Sequence, residues 1–332
     1  MDGRESADVE PLSPRGVTDL ERVIAAQPDS ISQAITSRFD DIREAAVRIA
    51  AARRVRLTGA GISACAADVG EQMLRSVGVD ARAAHAFDLA TYPPGFDPGD
   101  LLIVLAHRDS RAYAARVAQR ASHASIRTIA IVGEGGRISG ADITIGTVPQ
   151  EGPSTSSTAF SGAVAVLAAS IARFEPRSPL ASSVPAFRES ARSMLPSRET
   201  ARDVAREIVT GDRRVLLTGA GVSLPVARAG AFLLRETAHV PADGVHLEDA
   251  LHGGVVALRP DDVIIEIAPE GLAEDRHADL ARMTEAMGIQ RWKIGGAPVR
   301  ARWYSPLPPI AEIATPLASF IPLQWLALEL AL

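Results

Sequence analysis

Apolar residues recur along this chain in two rhythms. From residue 20 to about residue 52 they return at helical spacing, with a break expected near Pro28. Further on they come in short, nearly unbroken runs: VRLTG and, at 100–106, DLLIVLA, then RTIAIVG at 127–133 and ADITIGT at 141–147. A second series follows with VLLTG, DVIIEIAP at 262–269 and QRWKIGG at 290–296. Runs of this length read as strands buried on both faces, and the amphipathic stretches between them, notably 64–76, 110–123 and 271–287, read as helices. Strands alternating with helices predict an α/β protein with parallel sheets covered on both sides. The stretch GPSTSSTAFSGAVAVLAASIARF predicts a polar loop leading into a buried helix.

The two series are copies. RRVRLTGAGIS begins at Arg53 and RRVLLTGAGVS at Arg213, and they differ at two positions. The expected architecture is therefore two tandem Rossmann-like units. The boundaries read as a mobile tail over 1–19, a first domain with its N-terminal helix over 20–174, a Pro-, Ser- and Arg-rich linker over 175–197, and a second domain with a closing helix over 198–332. Each copy runs strand, glycine turn, helix. Such a turn brings backbone N–H groups close to a ligand and points the positive end of a helix dipole at it, which favours phosphate or carboxylate. Both turns lack the third glycine of GxGxxG, so a nicotinamide cofactor is not expected. Ser63 and Ser223 stand at the same place in the two copies and supply hydroxyl donors.

Composition narrows the chemistry. The net charge of −5 over 332 residues argues against a general nucleic-acid surface. Of the 35 basic residues only Lys293 is a lysine, so it is the one candidate for a Schiff base. The single cysteine, Cys65, excludes an intrachain disulfide and reads as a small buried hydrophobe. No secretion signal is visible. The apolar C-terminal stretch carries Pro316, Pro322 and Glu329, which suits a buried helix better than a membrane span, so a cytoplasmic protein is expected.

Strand–GxGxS–helix, twice in one chain, resembles the double sugar-isomerase (SIS) family, which includes the isomerase half of glucosamine-6-phosphate synthase. ERVIAAQPDSI is similar to that family's N-terminal "E-I-x-E-Q-P" helix, STSSTAF to its Ser-Thr loop, EDALHGG to its "GE-x-x-HGP" segment and TPLASFIPLQWLALELAL to its closing helix. The resemblance implies a sugar-phosphate site in the first domain, with Ser63 after the glycine turn and Ser154, Thr155 and Ser156 in the Ser-Thr loop. The family's phosphate loop, close to "S-x-S-G-x-T", corresponds here to AHRDSR, where His107, Arg108, Ser110 and Arg111 are the candidate contacts and the hydroxyl pattern is lost. Arg108 and Arg111 suit an anion bidentately or a surface carboxylate equally. The resemblance also implies a proton-transfer base sixteen residues before the histidine of the HG motif, which gives Glu236 and His252. Shifted by the repeat offset, these fall on Ser76 and near Thr91, so only the second copy carries the pair.

No glutaminase domain and no lysine-bearing tail is seen, so glutamine-dependent amination is not expected. The expected function is a glutamine-independent aldose–ketose isomerase or deaminase-like enzyme acting on a sugar phosphate or other anionic sugar, without metal or cofactor. The alternatives are a non-catalytic sugar-phosphate sensor and a specialised biosynthetic enzyme with altered chemistry. The family resemblance further implies a homodimer, in which His252 reaches a neighbouring subunit's site.

Overall fold

A computed structural model of the chain describes residues 14–92, 95–107, 113–149, 157–211 and 213–332. Two helices lead in, α1 (Pro14–Ser37) and α2 (Phe39–Ala51). The first repeat follows as β1 (Arg54–Gly59), α3 (Ile62–Ser76), β2 (Ala81–His85), α4 (Ala86–Thr91), β3 (Asp100–Ala106), α5 (Tyr113–His123), β4 (Arg127–Val132), β5 (Ile143–Gly146) and α6 (Ser157–Phe174). Three helices, α7 (Pro179–Ser183), α8 (Phe187–Ser193) and α9 (Arg198–Gly211), lead to the second repeat. That repeat runs β6 (Val215–Gly219), α10 (Ser223–Ala238), β7 (Ala242–His246), α11 (Leu247–Asp249), β8 (Val263–Ala268), α12 (Glu274–Ala286), β9 (Gln290–Gly295), β10 (Trp303–Pro306), α13 (Pro316–Ser319) and α14 (Ile321–Ala331).

Each repeat builds a five-stranded sheet, in the orders β2-β1-β3-β4-β5 and β10-β9-β8-β6-β7, and every strand pair is parallel. Read by repeat, these are the same order twice. In both, the order reverses beside the first strand, where open α/β sheets leave their crevice. The fold is thus α/β with two tandem Rossmann-like units.

Three features depart from the sequence pattern. The helix expected to break near Pro28 runs through it and ends nine residues later, at Ser37. Proline removes one helical hydrogen bond, at about 3 kcal/mol, but Leu20, Ile24 and Ile31 on the same stripe are fully buried, and each contributes roughly 1.5–3 kcal/mol. Burial wins. The helix ends where Thr36 and Ser37 turn their hydroxyls back onto the carbonyls of Ser32 (3.0 Å) and Gln33 (2.7 Å). Because α1 starts at Pro14, residues 14–19, assigned above to a mobile tail, are helical; residues 1–13 lie outside the description. Residues 175–197, read as a linker, are largely helical, and Leu180, Phe187, Ala191 and Met194 are buried in the core. The short strands β2, β7 and β10 are additions that no apolar run announced.

The inner faces of both sheets close on one core. In the first repeat a Cβ on Gly70 of α3 would lie 2.7 Å from Leu57 of β1 and 2.9 Å from Leu167 of α6. In the second, a Cβ on Gly230 of α10 would lie 2.8 Å from Leu217 of β6 and 2.5 Å from Leu323 of α14. Phe160 and Phe320 meet across the repeats with ring centroids 4.6 Å apart. The side-chain amides of Gln27 and Gln324, both fully buried, exchange hydrogen bonds of 3.0 and 2.8 Å and tie α1 to α14. Gly230→Ala is therefore expected to overpack this contact and destabilise the protein by about 1–3 kcal/mol. Gly95→Ala, at an exposed glycine with nothing within 4 Å, should stay within about 0.5 kcal/mol of the parent. Urea unfolding midpoints for the two variants check the contrast.

Candidate functional site

The glycine turns take the geometry their sequence implies. Gly61 and Gly221 adopt φ of +56° and +51°, a region open to glycine at little cost. A Cβ on Gly59 would sit 2.5 Å from the Ser63 carbonyl oxygen, and one on Gly219 2.8 Å from Ser223. The chain can therefore fold straight from the strand into a helix that starts on the strand's carboxyl end. Ser63 is half-buried on the first turn of α3. Ser223 is buried, and its hydroxyl has no hydrogen-bond partner among the described residues.

A histidine closes the next strand in each repeat. His85 ends β2 and accepts from the Phe87 amide at 3.2 Å; His246 ends β7 and accepts from the Glu248 amide at 3.1 Å. Both accept at Nδ1, which leaves Nε2 as the ring nitrogen able to donate. Sequence reasoning passed over His85; its signal was the histidine shared by ARAAH and ADGVH.

The predicted site residues spread over both repeats. His107 is half-buried just after β3, and its carbonyl accepts from the Gly133 amide at 3.0 Å. Arg108, Ser110, Arg111, Ser154, Thr155 and Ser156 lie outside the described residues. Glu236 is exposed in the last turn of α10. His252 lies on the π-helical turn Ala250–Gly254 after α11 with its side chain 78 % exposed, 3.5 Å from Glu248. Glu248 in turn is gripped at both oxygens by Arg276, whose guanidinium holds that carboxyl below its ordinary range. Among the described residues no three His, Cys, Asp or Glu side chains converge in a way that could hold a metal ion.

Between α3 and α10 lies a cleft of about 270 Å³, lined by Gly61, Cys65, Asp68, His85, Arg228 and Arg235 among others. Cys65 is buried there, and burial, helped by Asp68, pushes its thiol up to about 12. It is no nucleophile at neutral pH.

The outer face of the second sheet holds a buried polar row. Register aligns Thr218, Glu266, Lys293 and Tyr304 across β6, β8, β9 and β10. The corresponding row of the first sheet is Thr58, Val104, Ala130 and Thr144. Glu266 is fully buried; His277 of α12 meets it at 2.8 Å and Arg291 of β9 hydrogen-bonds its other oxygen. Burial alone would push the Glu266 carboxyl up, but His277 and Arg291 outweigh it and hold the group low. Lys293, the Schiff-base candidate, is 8 % exposed beside it. The Thr218 hydroxyl has no hydrogen-bond partner among the described residues.

No protein-family model matches the chain. The fold is that of tandem SIS proteins. The structure overlays the C-terminal domain of glucosamine-fructose-6-phosphate aminotransferase from Francisella tularensis with a TM-score of 0.81 at 15 % identity, covering 94 % of this chain and 95 % of that one. It overlays tagatose-6-phosphate ketose/aldose isomerase from Escherichia coli at 0.77 and 17 %, covering 97 % and 95 %. Against glucosamine-6-phosphate deaminase from Thermotoga maritima the values are 0.71 and 14 %, covering 94 % and 93 %. In sequence, the chain is homologous to the isomerase half of glutamine–fructose-6-phosphate aminotransferase. It is 26 % identical to the Pyrococcus horikoshii enzyme over 323 residues, covering 93 % of this chain. The Leifsonia xyli enzyme is 29 % identical over 156 residues, covering 43 % of this chain and 24 % of its own. The chain spans about half, 54 %, of the Pyrococcus relative's length.

Glu266→Gln should destabilise the protein by about 3–5 kcal/mol at pH 7, because it leaves buried cations without their counter-charge. The folded carboxyl sits below the unfolded value of about 4.3. Its stabilisation is therefore complete above that pH and lost as pH falls through the lower folded value. Denaturation midpoints of parent and variant should differ most at neutral pH and converge below about pH 4.

Proposed function

We propose that this protein is a glutamine-independent sugar-phosphate isomerase or deaminase-like enzyme. The observation that carries this reading is an asymmetry on a duplicated scaffold. Both repeats keep the glycine turn and its serine, while Glu236 and His252 occur only in the second. A duplicated binding fold with acid–base groups in one copy suits a reaction that handles one sugar. Similarity over nearly the whole chain to a structure described as a ketose/aldose isomerase supports the same reading.

In this scheme the N–H groups and hydroxyl at Ser63 hold the sugar or its anionic group at the positive end of α3. His107, Arg108, Ser110, Arg111, Ser154, Thr155 and Ser156 complete the binding loops. His252 protonates the ring oxygen and opens the sugar. The Glu236 carboxylate takes the proton from the carbon beside the carbonyl and returns it to the neighbouring carbon through an enediol, so no atom is lost. For an amino sugar, the same proton shift followed by addition of water would release ammonia. No step needs a metal or cofactor.

A second reading, a binding protein that senses a sugar phosphate, is favoured by AHRDSR, whose hydroxyl pattern is lost. The exposure of His252 favours a homodimer in which it serves the neighbouring site. Among the described residues no helix is long and apolar enough to cross a membrane, and a cytoplasmic enzyme completes the proposal.

Glu236→Gln should lower kcat at least about a hundredfold while sugar-phosphate affinity changes less than about threefold. Nuclear magnetic resonance of aldose–ketose exchange and ammonium release read the two reactions, and full activity in the variant would sink the assignment. Sedimentation equilibrium should give twice the chain mass; a strict monomer would remove the shared-site role of His252.

A further inference from the structure

The cleft between α3 and α10 is built from the same position of the two repeats carrying opposite charge. Asp68 stands nine residues after Gly59 and Arg228 nine after Gly219. The two helices cross at these positions, and the side chains face each other at 3.8 Å. That is an ion pair without a hydrogen bond. Among the described residues neither group makes another ion pair or a side-chain hydrogen bond. Both side chains are about half exposed, at 40 % and 49 %, and both line the cleft. A guanidinium with five donors and a carboxylate with two acceptor oxygens therefore keep most of their bonding capacity for the cleft's contents.

The lining also holds a second carboxylate, Asp243, which is 83 % exposed and pairs with Arg235 at 3.5 Å. Arg235 donates to the Ala242 carbonyl and lies over the Phe232 ring, 4.9 Å from its centroid. The base of Arg228 is set by Gly244 of β7, where a Cβ would sit 2.6 Å from the Arg228 Cα. Gly61 brings the N-terminus of the fifteen-residue α3 to the same wall, adding positive potential. At about 270 Å³ the cleft falls just under the usual range for ligand sites. It admits a monosaccharide-sized molecule and is too small for a nucleotide sugar.

We propose that this cleft is a binding site for a phosphate-bearing monosaccharide, with Arg228 gripping the anion and Asp68 accepting from the sugar's hydroxyl or ammonium donors. Phosphate oxygens supply the acceptors that Arg228 lacks, and the sugar supplies the donors that Asp68 lacks. Burial, the largest influence, raises the Asp68 carboxyl, with Arg228 opposing it, so the group gains from any donor that enters. The inference takes its ligand class from the function proposed above, but it places the anion between the repeats and not on the loop after β3.

Calorimetric titrations with inorganic phosphate, fructose 6-phosphate and fructose test it without recourse to turnover. The parent should bind both phosphates and hold fructose at least about tenfold more weakly. Arg228→Gln should weaken both phosphate ligands about tenfold or more, and Arg228→Lys should fall between the two, since it keeps the charge and loses the fork. Asp68→Asn should weaken fructose 6-phosphate yet leave inorganic phosphate equal or tighter, because a competing carboxylate is gone. A merely structural role would move both ligands the same way. Binding within twofold of the parent in both Arg228 variants, or no phosphate binding by the parent, overturns the proposal. If turnover is lost in Glu236→Gln but is untouched, with affinity, in Arg228→Gln, the isomerase reading stands and this site falls.

Discussion

How closely two helices approach two strands governs the rest of this structure. Gly70 and Gly230 put bare backbone against Leu57 and Leu217, and the leucines of α6 and α14 fill the other side of each glycine. Any side chain there would lift α3 and α10 off their sheets. Because both helices lie close, the inner faces of the two sheets share one continuous core, and the helices meet each other between them. That meeting brings equivalent positions of a duplicated unit face to face. Two identical charges there would repel at short range, and the chain carries an aspartate on one copy and an arginine on the other.

The legible part of the fold was the part that repeats and the part that is fully buried. DLLIVLA forms β3 over the full run, and RTIAIVG and DVIIEIAP lose only terminal residues. The strands that escaped notice are β2, β7 and β10, at the rims of the sheets: Ala, Gly and Asp dilute the strand formers of β2 and β7, and β10 is only four residues long and ends in proline. They form because the neighbouring strand supplies their hydrogen bonds, a tertiary effect with no local signature. Pro28 misled for a related reason: local propensity is a few kcal/mol, and a buried stripe outweighs it. Among the proposed site residues, Ser63, Glu236 and His252 could be named because motifs flank them. Asp68 and Arg228 could be found only by superimposing the repeats, and Glu266 only by knowing its cross-strand neighbours.

The two sheets have diverged most where their outer faces should have been interchangeable. Val104 and Ala130 hold one register line of the first sheet, and Glu266 and Lys293 hold its counterpart in the second. Burying a carboxylate among Arg291, Lys293 and His277 costs several kcal/mol per ion before pairing repays it. Apolar residues would have kept the sheet without that cost, as the first repeat shows. Lys293 stands beside Glu266 in register, and its positive charge adds to those that hold that carboxyl low.

The proposed acid–base pair rests on unequal supports, and the difference bears on what each residue can do. Glu236 is carried by α10, which is pinned at its start by the Gly219 contact, in its middle by Gly230 and at its end by His239, whose left-handed backbone at φ +55° donates to the Leu234 carbonyl. His252 stands on the π-helical turn after α11, and its ion pair among the described residues reaches a glutamate already committed to Arg276. Its imidazole must therefore be oriented by a group beyond Glu248. In the proposed reaction a bound sugar or a neighbouring subunit would meet that need, and either one would couple ring opening to the assembly of the site.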